Sequence, residues 1–392
     1  MARLGHEVTA LGISERPSMP GIRYVRYSPT RASSRHVHPW ATDLETKLIR
    51  GEACMQKASE LARTGYQPDL ICAHPGWGEA LFLRELWPRV PQLHYLEFFY
   101  RSRGQDVGFD PEFDRPDLNA RARLVAKNAN NLLNLDLMDA GVCPTQWQFS
   151  TLPKPFQNKV TVLHDGVDTQ ALRPDPLAQT EVVDDLGRSV QIKAGDSIIT
   201  YVGRNLEPFR GYHQFMRALP RVLSACPQAR VILIGGDGVS YGAAPSTGTW
   251  KQRFLDEVRD QLDMHRVHFV GTQPYSNFIK ILQCSQAHVY LTYPFVLSWS
   301  LLEAMSVGAP IVASDTAPVR EVVRHGENGW LVDFFSPEAI ANQVIQCLQE
   351  PAASTPLRRA ARETVVEGYD LRSRCLPKQL DLLQRVMDQR PT

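Results

Sequence analysis

Two arginines in the second half of the chain are spaced to hold an anion. Arg204 and Arg210 lie six residues apart in the segment Gly-Arg-Asn-Leu-Glu-Pro-Phe-Arg-Gly. Guanidinium groups that flank one loop can grip a diphosphate through forked hydrogen bonds, and they can stabilise a departing diphosphate as its charge develops. The simpler interpretation of either arginine alone is a solvated surface loop. The pair becomes informative only beside other anion-binding features.

The stretch 293–315 supplies such a feature. Its sequence predicts the end of a strand, a tight loop, a helix capped by Ser298 or Ser300, and a second strand. A helix N-terminus at the carboxyl end of a strand offers free backbone N–H groups and a positive dipole end to a phosphate. Glu303 suits the hydroxyls of a ribose beyond the phosphates; the alternative is a capping box between Ser300 and Glu303. The residues predicted at the anion-binding end of this helix are Ser298, Trp299, Ser300 and Leu301.

In the first half of the chain, two further residues whose side chains are able to take part in binding or catalysis follow predicted strands. Trp77 lies between two glycines in His74-Pro-Gly-Trp-Gly-Glu, where its ring is able to stack on a sugar, and the alternative is a buried tryptophan that anchors the next helix. Glu97 ends a predicted strand, and a carboxylate there is able to assist proton transfer. The alternative for Glu97 is an ion pair with Arg101 or Arg103.

Alternating strands and helices position all of these residues. The pattern predicts an α/β protein with two tandem Rossmann-like, doubly wound domains, over 1–170 and 171–369. The segment Thr169–Ala194 is rich in Pro, Asp and Gln, and we place the linker there. In such folds ligands bind at the carboxyl ends of the strands. In the second domain the residues predicted at those ends are Gly203, Arg204, Gly235, Gly236, Gly271, Thr272, Gln273 and 293–300.

The composition and net charge of the chain limit the classes of binding partner that we expect. The 392 residues carry a formal net charge of +1, which gives no reason to expect nucleic acid or an anionic membrane as the main partner. The seven cysteines are dispersed and form no CxxC pair, so we expect reduced thiols in a cytoplasmic protein and no zinc site. No apolar run reaches membrane-spanning length, although peripheral association with a membrane stays open.

Three motifs in the second half give the chain a family resemblance. They are Val202-Gly-Arg204 with the basic residue and glycine that follow, Leu301-Leu-Glu-Ala-Met-Ser-Val-Gly-Ala-Pro310, and Val322-Val-Arg-His-Gly-Glu-Asn-Gly-Trp-Leu-Val332. With them the chain resembles the retaining glycosyltransferases of the GT-B fold in the large family numbered four. In the first half, the segment from His74 to Glu79 and Asp106-Val-Gly-Phe-Asp-Pro-Glu-Phe113 resemble a bacterial subgroup of that family.

The resemblance implies an activity. A sugar passes, with retention, from a UDP- or GDP-sugar bound by the second domain to a glycan or lipid-linked saccharide bound by the first, across a cleft. It implies that Glu303 binds the ribose, that Arg204 and Arg210 hold the diphosphate, and that Gly271–Gln273 lines the base. Glu97 is the third predicted catalytic residue, and His74 and Trp77 are predicted on the acceptor side. No metal or other cofactor is expected, and the implied location is the cytoplasm, with the inner face of the membrane as an alternative.

The chain departs from the family pattern at several positions. Phe295 stands where the family has the first glutamate of a spaced pair, eight residues before Glu303. The second basic residue is Arg210 rather than lysine and is one residue further along, and Glu97 replaces a histidine found in many relatives. Residues 1–12 resemble the end of the family's first helix, a glycine cap at Gly5 and the next strand. We therefore expect a truncated relative or a misassigned start, and the alternative is a short disordered leader.

Two other functions are compatible with the same fold. A nucleotide-sugar epimerase requires a cluster of carboxylates and histidines, of which the sequence offers only His74 and Glu97. Turnover of a sugar nucleotide without an acceptor would identify an epimerase. A non-catalytic sugar-nucleotide or glycan-binding relative is favoured by Phe295 and by the expected truncation. Donor binding without transfer or hydrolysis would identify that relative.

The resemblance also implies that the final helix, about 370–388, packs against the first domain.

Overall fold

The computed structural model describes residues 1–388, which form two compact units. Unit 1 comprises Met1–Gly108, Arg115–His164 and the chain from Cys375 onward. Unit 2 comprises Phe109–Asp114 and Asp165–Arg374. The sequence placed the division at 170/171, six residues later than the structure has it. It also did not anticipate that the six residues Phe109–Asp114, here called the inserted hexapeptide, belong to unit 2.

The chain contains fourteen strands among its described residues. They are β1 (Val8–Gly12), β2 (Ile22–Arg26), β3 (Ile71–Ala73), β4 (Gln92–Tyr95), β5 (Ala140–Cys143), β6 (Val160–Val162), β7 (Gln179–Val183), β8 (Ser189–Lys193), β9 (Ile198–Asn205), β10 (Arg230–Gly236), β11 (Val267–Phe269), β12 (Ala287–Tyr290), β13 (Ile311–Ser314) and β14 (Trp330–Val332). In unit 1, β1 and β2 form one parallel pair, and β3-β4-β5-β6 form a separate parallel sheet. Before β1, a short 3-10 turn over Ala2–Leu4 ends at Gly5, whose φ is 86°.

Fourteen α-helices complete the described part of the chain. They are α1 (Thr42–Arg63), α2 (Leu83–Leu86), α3 (Leu118–Lys127), α4 (Ala129–Leu137), α5 (Gln146–Thr151), α6 (Lys154–Gln157), α7 (Tyr212–Ala225), α8 (Trp250–Val258), α9 (Tyr275–Gln283), α10 (Trp299–Ser306), α11 (Ala317–Arg320), α12 (Pro337–Gln349), α13 (Pro351–Tyr369) and α14 (Leu376–Asp388). In unit 1, α14 buries Leu382 and Val386 against Leu93, Ala140 and Leu163 of the four-stranded sheet and its flank. The helix implied near the C-terminus is therefore part of unit 1.

The sheet of unit 2 has six parallel strands in the order β11-β10-β9-β12-β13-β14. Counted from β9, this is the order 3-2-1-4-5-6 of a doubly wound, dinucleotide-binding sheet. The first four residues of β9 and all of β12 are buried, as expected for strands covered by helices on both faces. The predicted fold class, two Rossmann-like α/β domains, is confirmed.

Two segments differ from the sequence prediction. The segment placed as a linker contains the antiparallel hairpin β7–β8, which buries Val182, Val190 and Ile192 in the core of unit 2. The sequence over 117–135 predicts a single helix, which the structure divides into α3 and α4 at Asn128. The Asn128 side chain donates to the carbonyl of Tyr100 and accepts from its backbone N–H, which fixes the break to a distant loop.

Each unit also buries a histidine in its core, and we therefore predict that the folded protein loses stability as the pH falls. Burial lowers the pKa of His288 in unit 2 to about 3 and that of His94 in unit 1 to about 4, from 6.5. Below pH 6.5 the unfolded chain therefore binds protons that the folded chain does not. The free energy of unfolding therefore falls as the pH falls toward the folded pKa values. At pH 5 each of these histidines lowers it by about 2 kcal/mol.

Chemical unfolding at pH 7 and pH 5 checks this expectation. His288→Gln is expected to reduce the pH-dependent loss of stability in unit 2 by about 2 kcal/mol. His265→Gln, at an exposed position of the same unit, is the matched control and is expected to leave the loss unchanged. An equal loss of stability in the wild type and in His288→Gln would contradict the assignment.

Candidate functional site

The candidate site lies at the point where the strand order of unit 2 reverses. The chain leaves the sheet toward opposite sides after β9 and after β12, and such a switch point opens a crevice at the carboxyl ends of the strands. After β9 come a buried leucine and glutamate and a short 3-10 turn, Pro208–Arg210. After β12 come residues 291–298 and then the N-terminus of α10. Arg204 lies at the end of β9, Arg210 ends the turn after it, and residues 298–301 and Glu303 lie at or within α10.

Arg210 is nearly buried and holds the loop after β12. Its guanidinium donates to Thr292 Oγ1 at 2.7 Å and to the Val296 carbonyl at 3.1 Å. It also lies 5.4 Å from the ring centroid of Tyr241 and 6.0 Å from that of Phe295. These contacts shape the loop before α10, so that Arg210 determines the position of the helix N-terminus. The role of diphosphate ligand stays a prediction for this residue.

Arg204 has a different environment. It is exposed at the end of β9, and its side chain makes no hydrogen bond or ion pair with any residue that the structure describes. Its neighbour Gly203 is required by packing, because a Cβ there would lie 2.8 Å from the Asn205 carbonyl oxygen. Arg204 is therefore a guanidinium at the switch point whose hydrogen-bonding capacity is available to a ligand.

The N-terminus of α10 is capped by Ser298. Its hydroxyl accepts from the Ser300 N–H at 3.4 Å, and its own N–H donates to the Tyr290 hydroxyl at 2.8 Å. Trp299 is 59% exposed, whereas Ser300 and Leu301 are buried. The sequence placed all four residues at an anion-binding helix end. The structure places them at the first turn of an eight-residue helix that follows β12.

Glu303 lies on the second turn of α10 and contacts Tyr275, the first residue of α9. The Tyr275 hydroxyl donates to Glu303 Oε1 at 2.7 Å. Burial raises the pKa of the Glu303 carboxyl, and the Tyr275 hydrogen bond opposes that rise. The alternative capping box is not formed, because the cap is Ser298 and the carboxylate points to Tyr275. Sequence reasoning missed Tyr275, whose exposed side chain lies two residues after Gln273, the last of the predicted base-lining residues.

The glycines at the ends of the neighbouring strands allow the backbone to pack closely. A Cβ on Gly235 would lie 2.8 Å from the Gly203 carbonyl oxygen, and one on Gly236 would lie 2.7 Å from Asn205 Oδ1. These glycines therefore allow β9 and β10 to approach each other closely. Thr272 is exposed after β11, and Gln273 donates to the Val270 carbonyl and accepts from Asn277. Their predicted contact with a ligand stays a prediction.

Aromatic rings surround the position where the family has its first glutamate. Phe295 is 8% exposed, and its ring centroid lies 4.9 Å from that of Tyr241 and 5.1 Å from that of Phe209. Tyr241 belongs to the loop after β10. Glu207 holds this loop by accepting from the backbone N–H groups of Ser240 and Tyr241 at 3.0 and 3.2 Å. Sequence reasoning missed Glu207, although it lies between the two arginines.

The inserted hexapeptide reaches the same loop through Asp110. Asp110 accepts from the Tyr293 hydroxyl at 3.0 Å, and its carboxylate lies 3.0 Å from His213 Nε2. All three side chains are almost fully buried. Phe109 packs its ring 5.0 Å from that of Tyr293. Burial opposes ionisation of Asp110, but its bond to His213 holds the carboxyl pKa below its usual value; burial also lowers the pKa of His213. The pair is therefore a carboxylate beside a neutral imidazole.

Asp110, Glu112 and His213 also lie close enough together to hold a metal ion, with ligand atoms within 4.8 Å of one another. Glu112, however, accepts two hydrogen bonds from Arg217, at 2.7 and 2.8 Å. Asp110 is likewise occupied by Tyr293. The two carboxylates of this group thus have protein partners, and the arrangement explains how the hexapeptide is held.

In unit 1 the structure brings His74 and Glu97 together. His74 Nε2 lies 3.2 Å from Glu97 Oε2, and both residues follow neighbouring parallel strands. Arg101, one of the alternative partners, donates instead to the carbonyls of Thr151 and Leu152. Trp77 is 50% exposed, so the alternative of a buried anchor is wrong.

Comparison with known proteins shows that two protein-family models match the chain. A family model described as "Glycosyl transferase family 4 group" matches residues 4–172. A second, described as "Glycosyl transferases group 1", matches residues 183–364. The chain belongs to these glycosyltransferase families. The resemblance proposed from the sequence is confirmed, and the chain is a glycosyltransferase of the group 1 type.

Relatives of the glycosyltransferase agree with this assignment. The chain described here is 22% identical to a glycogen synthase of Mycobacterium tuberculosis, over 94% of this chain and 84% of that protein. It is 24% identical to a D-inositol 3-phosphate glycosyltransferase of Corynebacterium glutamicum, over 79% and 70% of the two chains. Among solved structures, sucrose-phosphate synthase from Thermosynechococcus elongatus has a TM-score of 0.71 at 21% identity, over 99% and 91%. Anabaena HepE in complex with UDP-glucose has a TM-score of 0.59 at 18% identity, over 94% and 85%.

These solved structures share the GT-B fold with the glycosyltransferase at identities too low to transfer more than the fold. Within residues 1–388, none of the helices is both long enough and apolar enough to cross a membrane. Among the described helices, only α1 has more than twenty residues, and it carries charged side chains such as Asp43, Lys47 and Arg50 along its length.

Proposed function

We propose that the glycosyltransferase moves a sugar, with retention of its anomeric configuration, from a nucleoside diphosphate sugar to an acceptor hydroxyl. The donor is a UDP- or GDP-sugar bound by unit 2, and the acceptor is a glycan or a lipid-linked saccharide. One observation carries the proposal. Arg204, the N-terminus of α10 and the Glu303 carboxylate follow one another at the carboxyl edge of a doubly wound sheet, beside its switch point.

The chemistry of these groups fits the parts of such a donor. Arg204 and the N–H groups of α10 suit the diphosphate, whose charge grows as the sugar departs. The Glu303 carboxylate suits a ribose diol, and its present partner, the Tyr275 hydroxyl, occupies the place of one ribose hydroxyl. The solved complexes of the structural neighbour HepE with UDP and with UDP-glucose support a nucleotide of this kind. The proposed reaction uses no metal or organic cofactor, because the guanidinium and the helix dipole stabilise the leaving group.

In this proposal Arg210 acts in two ways. Its charge adds to the positive potential at the diphosphate, as the sequence predicts. Its hydrogen bonds to Thr292 and Val296 also hold the loop that leads into α10. Phe295 provides an apolar contact in place of the family's glutamate, so we assign recognition of the sugar ring to the aromatic rings around it and to backbone N–H groups.

Replacing Glu303 with alanine is expected to weaken binding of UDP or GDP and of their sugars by at least about tenfold, because the ribose loses a charge-assisted hydrogen bond. Isothermal titration calorimetry on the full chain measures this change. Glu363→Ala, an exposed glutamate on α13, is the control and is expected to bind with wild-type affinity. Unchanged nucleotide affinity in Glu303→Ala would remove the basis of the assignment.

A second function, sugar-nucleotide binding without catalysis, is favoured by Phe295, which lacks the carboxylate found in the family. The two functions differ in turnover. Incubation with each UDP- and GDP-sugar, with and without a mixture of glycan acceptors, is expected to release nucleoside diphosphate. Tight donor binding with no release under either condition would support the non-catalytic function instead. Release without an acceptor, together with an altered sugar, would indicate an epimerase.

A further inference from the structure

Unit 1 contains a cavity of about 210 Å³ next to His74 and Glu97. Helix α1 contributes Asp43 and Lys47 to its wall, and the chain after β4 contributes Glu97 and Tyr100. Lys127, the last residue of α3, lines another part of the wall. All of these residues belong to unit 1, whereas the residues proposed to bind the nucleotide belong to unit 2.

Lys127 is the unusual member of this wall. Its ammonium lies 3.8 Å from the ring centroid of Tyr100 and makes no hydrogen bond or ion pair with any described residue. Burial lowers the pKa of this lysine, with the carboxylates of Asp43 and Asp106 opposing that effect. A partly buried cation without a bonded anion is unfavourable unless a ligand supplies the negative group. Its position over the cavity therefore indicates what the cavity binds.

More positive charge lies beside the cavity, around Trp77. The Arg50 guanidinium lies 5.4 Å from the Trp77 ring centroid and has no hydrogen bond or ion pair among residues 1–388. Lys47 Nζ lies 5.8 Å from the same ring and 3.6 Å from Asp43. Trp77 itself presents an exposed face next to His74. An aromatic face with cations beside it suits a ligand that has both a sugar ring and a negative group.

We propose that this cavity binds the acceptor, and that the acceptor is an anionic saccharide whose phosphate or carboxylate is held by Lys127. The inference rests on the proposed function, since it identifies the acceptor of that reaction. The His74–Glu97 pair lies at the same cavity and offers hydrogen bonds to the acceptor hydroxyls. A phosphate and a carboxylate are both anions that an ammonium recognises, and the choice between them is left to the experiment.

Calorimetric titration of the full chain with glucose 6-phosphate, glucuronate and glucose tests the proposal. At least one of the two anionic sugars is expected to bind at least about tenfold more tightly than glucose, because it adds a charge-assisted hydrogen bond to Lys127. The tighter of the two tells a phosphorylated acceptor from a carboxylated one. Equal affinity for all three sugars, or no binding of any of them, would overturn the proposal.

Three variants connect the preference to Lys127. Lys127→Met is expected to remove the tenfold preference for the anionic sugar, and Lys127→Arg is expected to keep it within about threefold. Lys154→Met, at an exposed lysine of α6, is the matched control and is expected to behave as the wild type. A preference that persists in Lys127→Met would exclude this residue as the anion ligand. The arginine variant keeps the test valid if the methionine variant does not fold.

Titration with UDP and GDP in parallel separates this inference from the proposed function. Nucleotide binding without any preference among the sugars would contradict the anionic acceptor alone. A sugar preference that depends on Lys127, without nucleotide binding, would leave the anion site in place and contradict the proposed transfer reaction. Wild-type nucleotide affinity is expected in Lys127→Met, because the donor residues belong to unit 2.

Discussion

Replacing Arg204 with alanine is expected to lower kcat/KM for sugar transfer or donor hydrolysis by about 100- to 1000-fold. The residue is exposed at the end of β9 and bonds to no other described side chain, so its loss leaves the packing of unit 2 intact. In the proposed reaction, the variant loses a forked hydrogen-bond donor at the point where the diphosphate becomes fully charged. Arg204→Lys is expected to recover only part of the rate, because an ammonium keeps the charge but not the fork.

Two other arginines serve as comparisons in the same assay. Arg221→Ala removes an exposed arginine of α7 that pairs with Glu338, and wild-type rates are expected. Arg210→Ala removes the residue that holds Thr292 and the Val296 carbonyl, so a lower melting temperature is expected together with the lower rate. A fall in melting temperature as large for Arg204→Ala as for Arg210→Ala would show that Arg204 acts through the fold, contrary to its proposed role.

Replacing Asp110 with alanine is expected to destabilise unit 2 by about 3 kcal/mol. Asp110 is 2% exposed, and its removal leaves the buried Tyr293 hydroxyl without its acceptor and the buried His213 imidazole without the carboxylate beside it. Because Tyr293 begins the loop that leads to α10, weaker donor binding is also expected at temperatures where the variant is folded. Unfolding by urea, followed by calorimetry with UDP, measures the two effects.

The matched control for that experiment is Asp256→Ala. Asp256 is an exposed aspartate on α8 whose partners are Gln252 and Arg259, and its loss is expected to change stability by less than about 0.5 kcal/mol. Asp110→Asn keeps an acceptor oxygen and the shape of the side chain, so an intermediate loss is expected. If Asp110→Ala proved as stable as Asp256→Ala, the hexapeptide would not be anchored through this carboxylate.

The sequence predicted the elements whose signals are local. The elements α1, α9, α12 and β14 have such signals, because apolar spacing, or a short apolar run, coincides with clear start and stop residues. The hairpin β7–β8 was missed although its residues alternate between exposed and buried. Its polar residues, and Pro174 and Pro176 just before it, concealed the two-residue period of Val190 and Ile192.

The parts of the site that were missed depend on contacts between distant positions. Arg204, Glu303 and the start of α10 were predicted because strand ends of a parallel sheet meet at one edge. Tyr275 was not predicted as the partner of Glu303, since a hydroxyl 28 residues away carries no local signal. The separation of Asp110 from Tyr293 is larger still, at 183 residues, and only the folded chain brings that carboxylate to the donor loop.

The inserted hexapeptide also has a consequence for the order of folding. Unit 2 takes six residues from the middle of the first half, and unit 1 takes α14 from the other end of the sequence. On the ribosome, Asp110 emerges long before His213 and Tyr293, and the sheet of unit 1 waits for Leu382 and Val386. Unit 1 can therefore reach its final packing only after unit 2 has been synthesised. Tandem domains usually fold one at a time in the order of synthesis, and here we expect the first unit to complete its folding last.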